Sequence, residues 1–257
     1  MILPTDLPLR EENGADYLSE LSPFLPVLFI NREISLSLCG RINGKDMIRN
    51  VVFDLGGVVL DWDAEKVRRE YKGDIRLANV LADSYFFKTY WTDFDRGTVD
   101  MEHIVNKLSE VSGASVEESW DFGFFVRDSL VNIPETEHMI RYLHREGYPL
   151  YCLSNMSVPF YEYLDKREVF RLFDGKVISA LEKTVKPEER IYRILLERYG
   201  LNPKETLFID DLKENVEAAA RFGMHTVHFV ERSKGYDEII SILNLRRSLR
   251  EICRAVS

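Results

Sequence analysis

The chain has 257 residues, 45% hydrophobic and 30% charged, with a formal net charge of −9, the balance of an ordinary globular protein of one large or two smaller domains. The acidic excess and the lack of a Lys/Arg block exclude binding through a phosphate backbone, so no nucleic-acid partner is expected. Cys39, Cys152 and Cys253 are too scattered for a disulfide framework or a zinc cluster, which fits a cytoplasmic protein; Cys152 reads as a small core residue.

Residues 1–46 read as an extension outside the fold. The apolar run Phe24–Ile30 is interrupted by Pro26 and closed by Asn31-Arg32-Glu33, far short of a membrane span. Asp6, Glu11, Glu12 and Asp16 are wrong for a signal peptide, and Leu38 is too bulky before Cys39 for a lipoprotein site. Met47-Ile48-Arg49-Asn50 leads directly into the first strand, as a start codon would, so a misplaced translation start is one explanation of the extension. No membrane partner is expected.

Val51-Val52-Phe53 is a run of strand formers without polar alternation, as in a parallel strand buried on both faces, and it delivers Asp54 and then Gly56-Gly57. After Asp61 the pattern is helical for about seventy residues: Ala64–Tyr71, Asp74–Tyr90, Asp100–Val111, and a helix from the capping box at Ser115 and Glu118 to about Leu130. These roughly four helices, with no strand between them, form a small bundle inserted after the first strand. From residue 132 strands and helices alternate. The helix Pro134–Glu146 precedes the strand Pro149–Leu153, and a short strand at Val177-Ile178 precedes the helix Pro187–Tyr199. The strand Thr206–Ile209, the helix Glu214–Phe222 and the strand His225–Phe229 follow, with a last helix over Tyr236–Val256. The fold class is therefore α/β, with a Rossmann-like parallel sheet.

In a parallel sheet all the strand C-termini share one edge, where ligands bind. Asp54, Ser154-Asn155 and Asp210-Asp211 each follow a strand, and Lys186 stands before a helix start, so these polar residues should converge. Each alone has a plain reading as a helix cap or a solvated side chain.

Phe53-Asp54-Leu55-Gly56-Gly57-Val58, Leu153-Ser154-Asn155, Lys186-Pro187-Glu188 and Phe208-Ile209-Asp210-Asp211 with Asn215 together resemble the haloacid dehalogenase-like hydrolase superfamily, over about residues 47–230. The closest likeness is to a bacterial branch with sugar-phosphate phosphatases, glucose-1-phosphate phosphatases among them. The resemblance implies a core of residues 47–61 and 132–257 and a helical cap of the C1 type over 62–131. It implies Asp54 as a nucleophile that forms an aspartyl-phosphate, and Lys186 as its counter-charge. Ser154, Asn155 and Lys186 would bind the phosphoryl group. Mg²⁺ would be held by Asp54, the Gly56 carbonyl and Asp211, with Asp210 as a supporting or alternative ligand and Asn215 steadying the loop. The implied partner is a small phosphorylated metabolite, a sugar phosphate before others, and the implied assembly a monomer or homodimer.

One position departs from the superfamily pattern. Most of its phosphatases carry a second Asp two residues after the nucleophile as general acid and base, and here that residue is Gly56. The backbone carbonyl still serves a metal, but a contribution of roughly 10²–10⁴-fold to rate has no side chain at that position. A better leaving group, a proton from another residue or the substrate, or a weakly catalytic phosphate-binding protein would each account for it. A metal-independent dehalogenase is the other alternative, against which Asp210-Asp211 argues. Trp91, Phe94, Asp95 and Arg96, around the break at Gly97, are the candidate substrate contacts, and the five histidines show no metal-ligand spacing.

Overall fold

The structure is a computed structural model that describes residues 47–245. The extension 1–46 and the end of the last predicted helix lie outside the described residues. Five strands form one parallel sheet in the order β3-β2-β1-β4-β5: β1 (Asn50–Phe53), β2 (Leu150–Ser154), β3 (Gly175–Ile178), β4 (Thr206–Asp210) and β5 (His225–His228). β1 is central, with Phe53 level with Cys152 of β2 and Ile209 of β4.

The apolar runs are continuous because both faces of the sheet are covered. On one side Val51, Phe53, Leu150, Cys152, Leu207 and Ile209 join a core with Met139, Ile140 and Leu143 of the helix Pro134–Arg145. On the other, Val52, Leu153 and Phe208 meet Ile191, Tyr192 and Leu195 of the helix Glu189–Tyr199 and Ala218 and Ala219 of the helix Lys213–Arg221. β1, β2 and β4 thus alternate between two cores, which fixes their register, since a one-residue slip would exchange the two faces. Cys152 is buried as expected.

Between β1 and residue 134 the described chain is helical. Ala64–Glu70, Ile75–Ala82, Met101–Ser112 and Val116–Ser129 are α-helices whose N-caps Asp63, Asp74, Asp100 and Ser115 each accept a backbone N–H. The Ser115–Glu118 capping box is present in both directions. The predicted helix Asp74–Tyr90 is not continuous. Asp83 adopts an extended conformation, its side chain accepts from Tyr85 N–H, and it restarts the chain as Ser84–Phe86. A π-helical turn, Phe87–Trp91, follows and runs into Thr92–Arg96.

Other differences are local. The helix predicted from Pro187 starts at Glu189, because the extended Glu188 turns its carboxylate back to Thr184 at 2.7 Å. Val158–Leu164 and Ser179–Glu182 are helices that sequence periodicity did not reveal, being too short to show it. The last helix, Arg232–Ile242, starts before its predicted Tyr236 and stops ahead of Asn244, whose φ is 52°. No helix among the described residues is long and apolar enough to cross a membrane.

Candidate active site

Asp54 leaves β1 with its N–H bonded to the Ile209 carbonyl at 2.9 Å, so its side chain emerges level with the end of β4. Ser154 ends β2, buried, and Asp210 ends β4, also buried. The predicted convergence at one sheet edge is therefore what the chain builds. Lys186 completes it. Its ammonium lies 2.8 Å from Asp54 Oδ1 and 2.6 Å from Asp210 Oδ2, and the three side chains are 1%, 9% and 0% exposed.

Asn155 sets that lysine in place. Its Oδ1 accepts from Lys186 N–H at 2.7 Å and its Nδ2 donates to the Lys186 carbonyl at 3.0 Å, a two-point hold on the backbone. The amide is thereby engaged with Lys186 in both directions. Asp210 is bonded in turn, accepting from Leu212 N–H at 2.9 Å and from Asn215 Nδ2 at 3.0 Å as well as from Lys186. Asn215 thus steadies the loop, the role the resemblance implies for it.

Asp54, Asp210 and Asp211 each bring a carboxylate oxygen into a cluster in which these atoms lie within 4.8 Å of one another. Three hard anionic donors at that separation suit a divalent cation with oxygen ligands, so the donor chemistry fits Mg²⁺. Of the three, Asp210 is also bonded to Lys186, Asn215 and a backbone N–H. Burial pushes the Asp54 carboxyl up to about 7, Lys186 pulling it down and Asp210 and Asp211 adding to the rise. Burial and then Asp210 push Asp211 up to about 6. Burial alone would lower Lys186, but the carboxylates of Asp210 and Asp54 outweigh it and hold the ammonium charged far above the usual lysine range. The site gathers more negative charge than one lysine neutralises, which is the condition that draws in a cation.

Gly57 makes the cluster possible. Its φ is 73°, and a Cβ there would stand 2.5 Å from Asp211 Oδ2. Only glycine both adopts that conformation and lets Asp211 approach β1 so closely.

The helical insertion meets this edge through Thr92–Arg96. Asp95 and Gly56 line the same cleft, with Trp62, Phe87, Trp91 and Phe160. Trp91 is mostly core: it stacks on Phe87 and meets Phe94 and Phe160 edge to face. Arg96 is engaged in an ion pair with Glu188 at 2.7 Å. The Asp95 carboxyl accepts the Ser157 N–H, and burial pushes it up to about 8 despite that bond, with the negative charge of Asp54 adding to the rise and Lys186 opposing it.

Sequence reasoning missed Ser179, which lies in none of the motifs, and the pairing made by Glu188, which the Lys186-Pro187-Glu188 motif contains. Glu188 ties Arg96 to the Lys186 loop, and Ser179 accepts from Met156 N–H at 2.8 Å while donating to the Asp95 carbonyl. Only the fold brings these contacts to the insertion.

A D-ribitol-5-phosphate phosphatase from Bacteroides thetaiotaomicron is 24% identical over 212 residues, covering 77% of this chain and 100% of the relative. A sesquiterpene phosphatase from Aspergillus oryzae is 26% identical over 181 residues, covering 70% and 89%. By contrast, the chain spans only 20% of the mouse acyl-CoA dehydrogenase family member 10, to which it is 27% identical over 218 residues. A crystal structure of a haloacid dehalogenase family enzyme from Bacteroides thetaiotaomicron, in complex with magnesium and inorganic phosphate, shares the fold with a TM-score of 0.57 at 24% identity, covering 70% of this chain and 92% of that one. The family model for haloacid dehalogenase-like hydrolases matches residues 48–223, the span that holds every residue of the carboxylate–lysine site, and the chain belongs to that family.

Proposed function

We propose that this hydrolase is a Mg²⁺-dependent phosphatase in which Asp54 attacks the phosphorus of a small phosphorylated metabolite. The observation that carries this is the Lys186 ammonium held between Asp54 and Asp210, with Asp211 completing the carboxylate cluster. The fixed ammonium balances the negative charge of nucleophile and phosphoryl group. Asp54 forms the bond to phosphorus as the ester oxygen leaves, and water then cleaves the aspartyl-phosphate. Ser154 lies at the same edge to donate to phosphoryl oxygens, while Asn155 serves by bracing Lys186. Asp54, Asp211 and the Gly56 carbonyl would hold the Mg²⁺, which supplies positive charge against the phosphoryl oxygens. The acidic pair that suits a metal sets this reading apart from metal-independent dehalogenation. In this reading residues 62–131 are a cap over a core of 47–61 and 132–257.

A sugar or polyol phosphate is the first substrate class, as for the ribitol-phosphate phosphatase. The cleft favours a second. Around Gly56 and Asp95 its lining is aromatic and aliphatic, and a purely hydroxylated leaving group would find few partners there. A leaving group with a hydrocarbon face, such as an isoprenyl chain, fits it, in line with the name of the fungal relative.

Phosphate release should be measured from a sugar phosphate, a polyol phosphate and an isoprenyl monophosphate, with Mg²⁺ and with a chelator, alongside halide release from a 2-haloacid. Mg²⁺-dependent phosphate release is expected, with the isoprenyl ester ahead of the sugar and polyol esters. Halide release without metal would overturn the proposal in favour of a dehalogenase, and no turnover at all would leave a phosphate-binding protein.

A second test concerns the metal ligands. Gly57→Ala should cost about 1–2 kcal/mol from the left-handed backbone alone. It should also displace Asp211 and raise the Mg²⁺ concentration needed for half-maximal activity about tenfold or more, since one carboxylate ligand is lost. Urea titration and Mg²⁺ saturation curves check the two effects separately.

A further inference from the structure

Gly56 removes the carboxyl that would protonate the leaving group, yet another carboxyl occupies the same cleft. A Cβ on Gly56 would meet nothing nearer than Trp62 Cβ at 3.8 Å, so space lies open beside it on the cleft that Asp95 lines. We propose that Asp95, carried by the helical insertion, is the acid that delivers a proton to the leaving-group oxygen. This rests on the phosphatase reading above and names the group that reading lacks.

The insertion holds Asp95 firmly over the sheet edge. Its carbonyl accepts from Ser179 Oγ and its carboxyl accepts the Ser157 N–H. Arg96 is tied to Glu188 at 2.7 Å, and the Lys183 ammonium donates to the Gly97 carbonyl. Ser157 lies in the loop between β2 and the helix Val158–Leu164, and Ser179 accepts from Met156 N–H of that loop, so these contacts tie Asp95 to the same loop that carries Asn155. A proton donor needs such placement, because general acids act only within hydrogen-bond reach of the atom they protonate.

The charged groups around Asp95 are Asp54 and Lys186 at the sheet edge, the Arg96–Glu188 pair, and Lys183 behind Gly97. Arg96 and Lys183 are each occupied by another partner. Phe87, Trp91 and Phe160 give the cleft an apolar lining beside Asp95, and burial with the Asp54 charge favours the protonated carboxyl at neutral pH. A carboxyl kept protonated at pH 7 is what an acid catalyst must be.

The step balances as follows. An Asp54 oxygen forms a bond to phosphorus while the bond from phosphorus to the leaving oxygen breaks, its electron pair staying on that oxygen. The Asp95 proton passes to the oxygen and an alcohol departs. The Asp95 carboxylate then takes a proton from the water that attacks phosphorus, the electron pair of the old bond returns to Asp54, and phosphate leaves.

The test compares wild type and Asp95→Asn on an alkyl phosphate and on 4-nitrophenyl phosphate, whose leaving group needs no proton, across pH 6 to 10 with Mg²⁺. Asparagine can still accept the Ser157 N–H, so the fold contact is kept. The variant is expected to lose about 10²–10³-fold in kcat on the alkyl ester and only a few-fold on the nitrophenyl ester. Wild-type kcat on the alkyl ester should fall as pH rises through about 8, where the acid ionises, and show no such limb on the nitrophenyl ester. Equal losses on both esters, or no loss on either, would overturn the role of Asp95 while leaving a working phosphatase. The wild-type comparison stands without the variant: the same alkaline limb on both esters overturns the proposal too. Wild-type protein that releases phosphate from neither ester overturns the phosphatase reading, and Asp95 with it.

Discussion

Asp54→Asn is expected to abolish turnover, by on the order of 10⁴-fold or more, while making the metal-free protein more stable at pH 8. The loss of rate follows from removing the atom that bonds to phosphorus; deleting a nucleophile leaves only what binding and electrostatic stabilisation give. The gain in stability follows from where that atom sits. Burial raises the Asp54 carboxyl to about 7 even with the Lys186 ammonium 2.8 Å away. The sign is that of a group whose folded pKa lies above its unfolded value. The native state keeps a proton that the unfolded chain has already lost, so stability is fully present below the ordinary aspartate value of 3.8 and is lost as pH rises through about 7. At pH 8 the native protein must therefore hold an ionised, largely desolvated carboxylate, at a cost of order a few kcal/mol.

An asparagine of the same shape avoids that cost, and Lys186 keeps its second partner, Asp210, at 2.6 Å. Urea midpoints of wild type and variant should accordingly differ most at pH 8 and converge as pH falls toward 4. An inactive variant with a higher midpoint at pH 8 would mark Asp54 as a residue kept for chemistry at the expense of stability. A variant destabilised at every pH would show instead that Asp54 is a structural partner of the lysine, and the nucleophile assignment would lose its physical support.

That tension was only half legible in the sequence. The order and spacing of Asp54, Ser154, Lys186 and Asp210-Asp211 are enough to place them on one edge, because parallel strands buried on both faces have a continuous apolar signature and end together. Asn215 was readable only through the resemblance to the family, and it donates to Asp210 from the helix that follows the strand. The insertion was harder. Its helices announce themselves by caps such as Ser115 and Glu118, but the break at Asp83 and the π-helical turn Phe87–Trp91 depend on how aromatic side chains pack, which no local period encodes. The partners of Asp95 and Arg96 were not legible at all. Ser157, Ser179 and Glu188 are about 60 to 90 residues away in sequence, and nothing about a lone serine or glutamate foretells a long-range contact. Asn155 shows the same limit from the other side: its position at the edge was foreseeable, whereas its double bond to the Lys186 backbone was not.

Lys186→Met should be the most destabilising single change at this site, by about 3–5 kcal/mol at pH 8, because it leaves buried carboxylates without a cation. The ammonium contacts Asp54 and Asp210, both almost fully buried, and Asp211 belongs to the same cluster. Methionine fills much of the volume of the lysine stem, so the loss is electrostatic rather than one of packing. The penalty should shrink as pH falls, since protonating the carboxylates removes the uncompensated charge, and added Mg²⁺ should recover part of it by supplying a cation to the same oxygens. Phosphatase activity should stay low in either case, as a mobile ion cannot take the position that Asn155 fixes for the ammonium. The double variant Lys186→Met/Asp210→Asn separates the two contributions. Removing both charges of the closest pair leaves Asp54 and Asp211 as a sparser cluster, and stability should return toward wild type, because loss of a whole buried pair is far less costly than loss of one member. Rate should not return with it. If the double variant stays as unstable as Lys186→Met, the destabilisation comes from packing around the lysine stem, and the picture of a cation holding carboxylates together at this sheet edge is wrong.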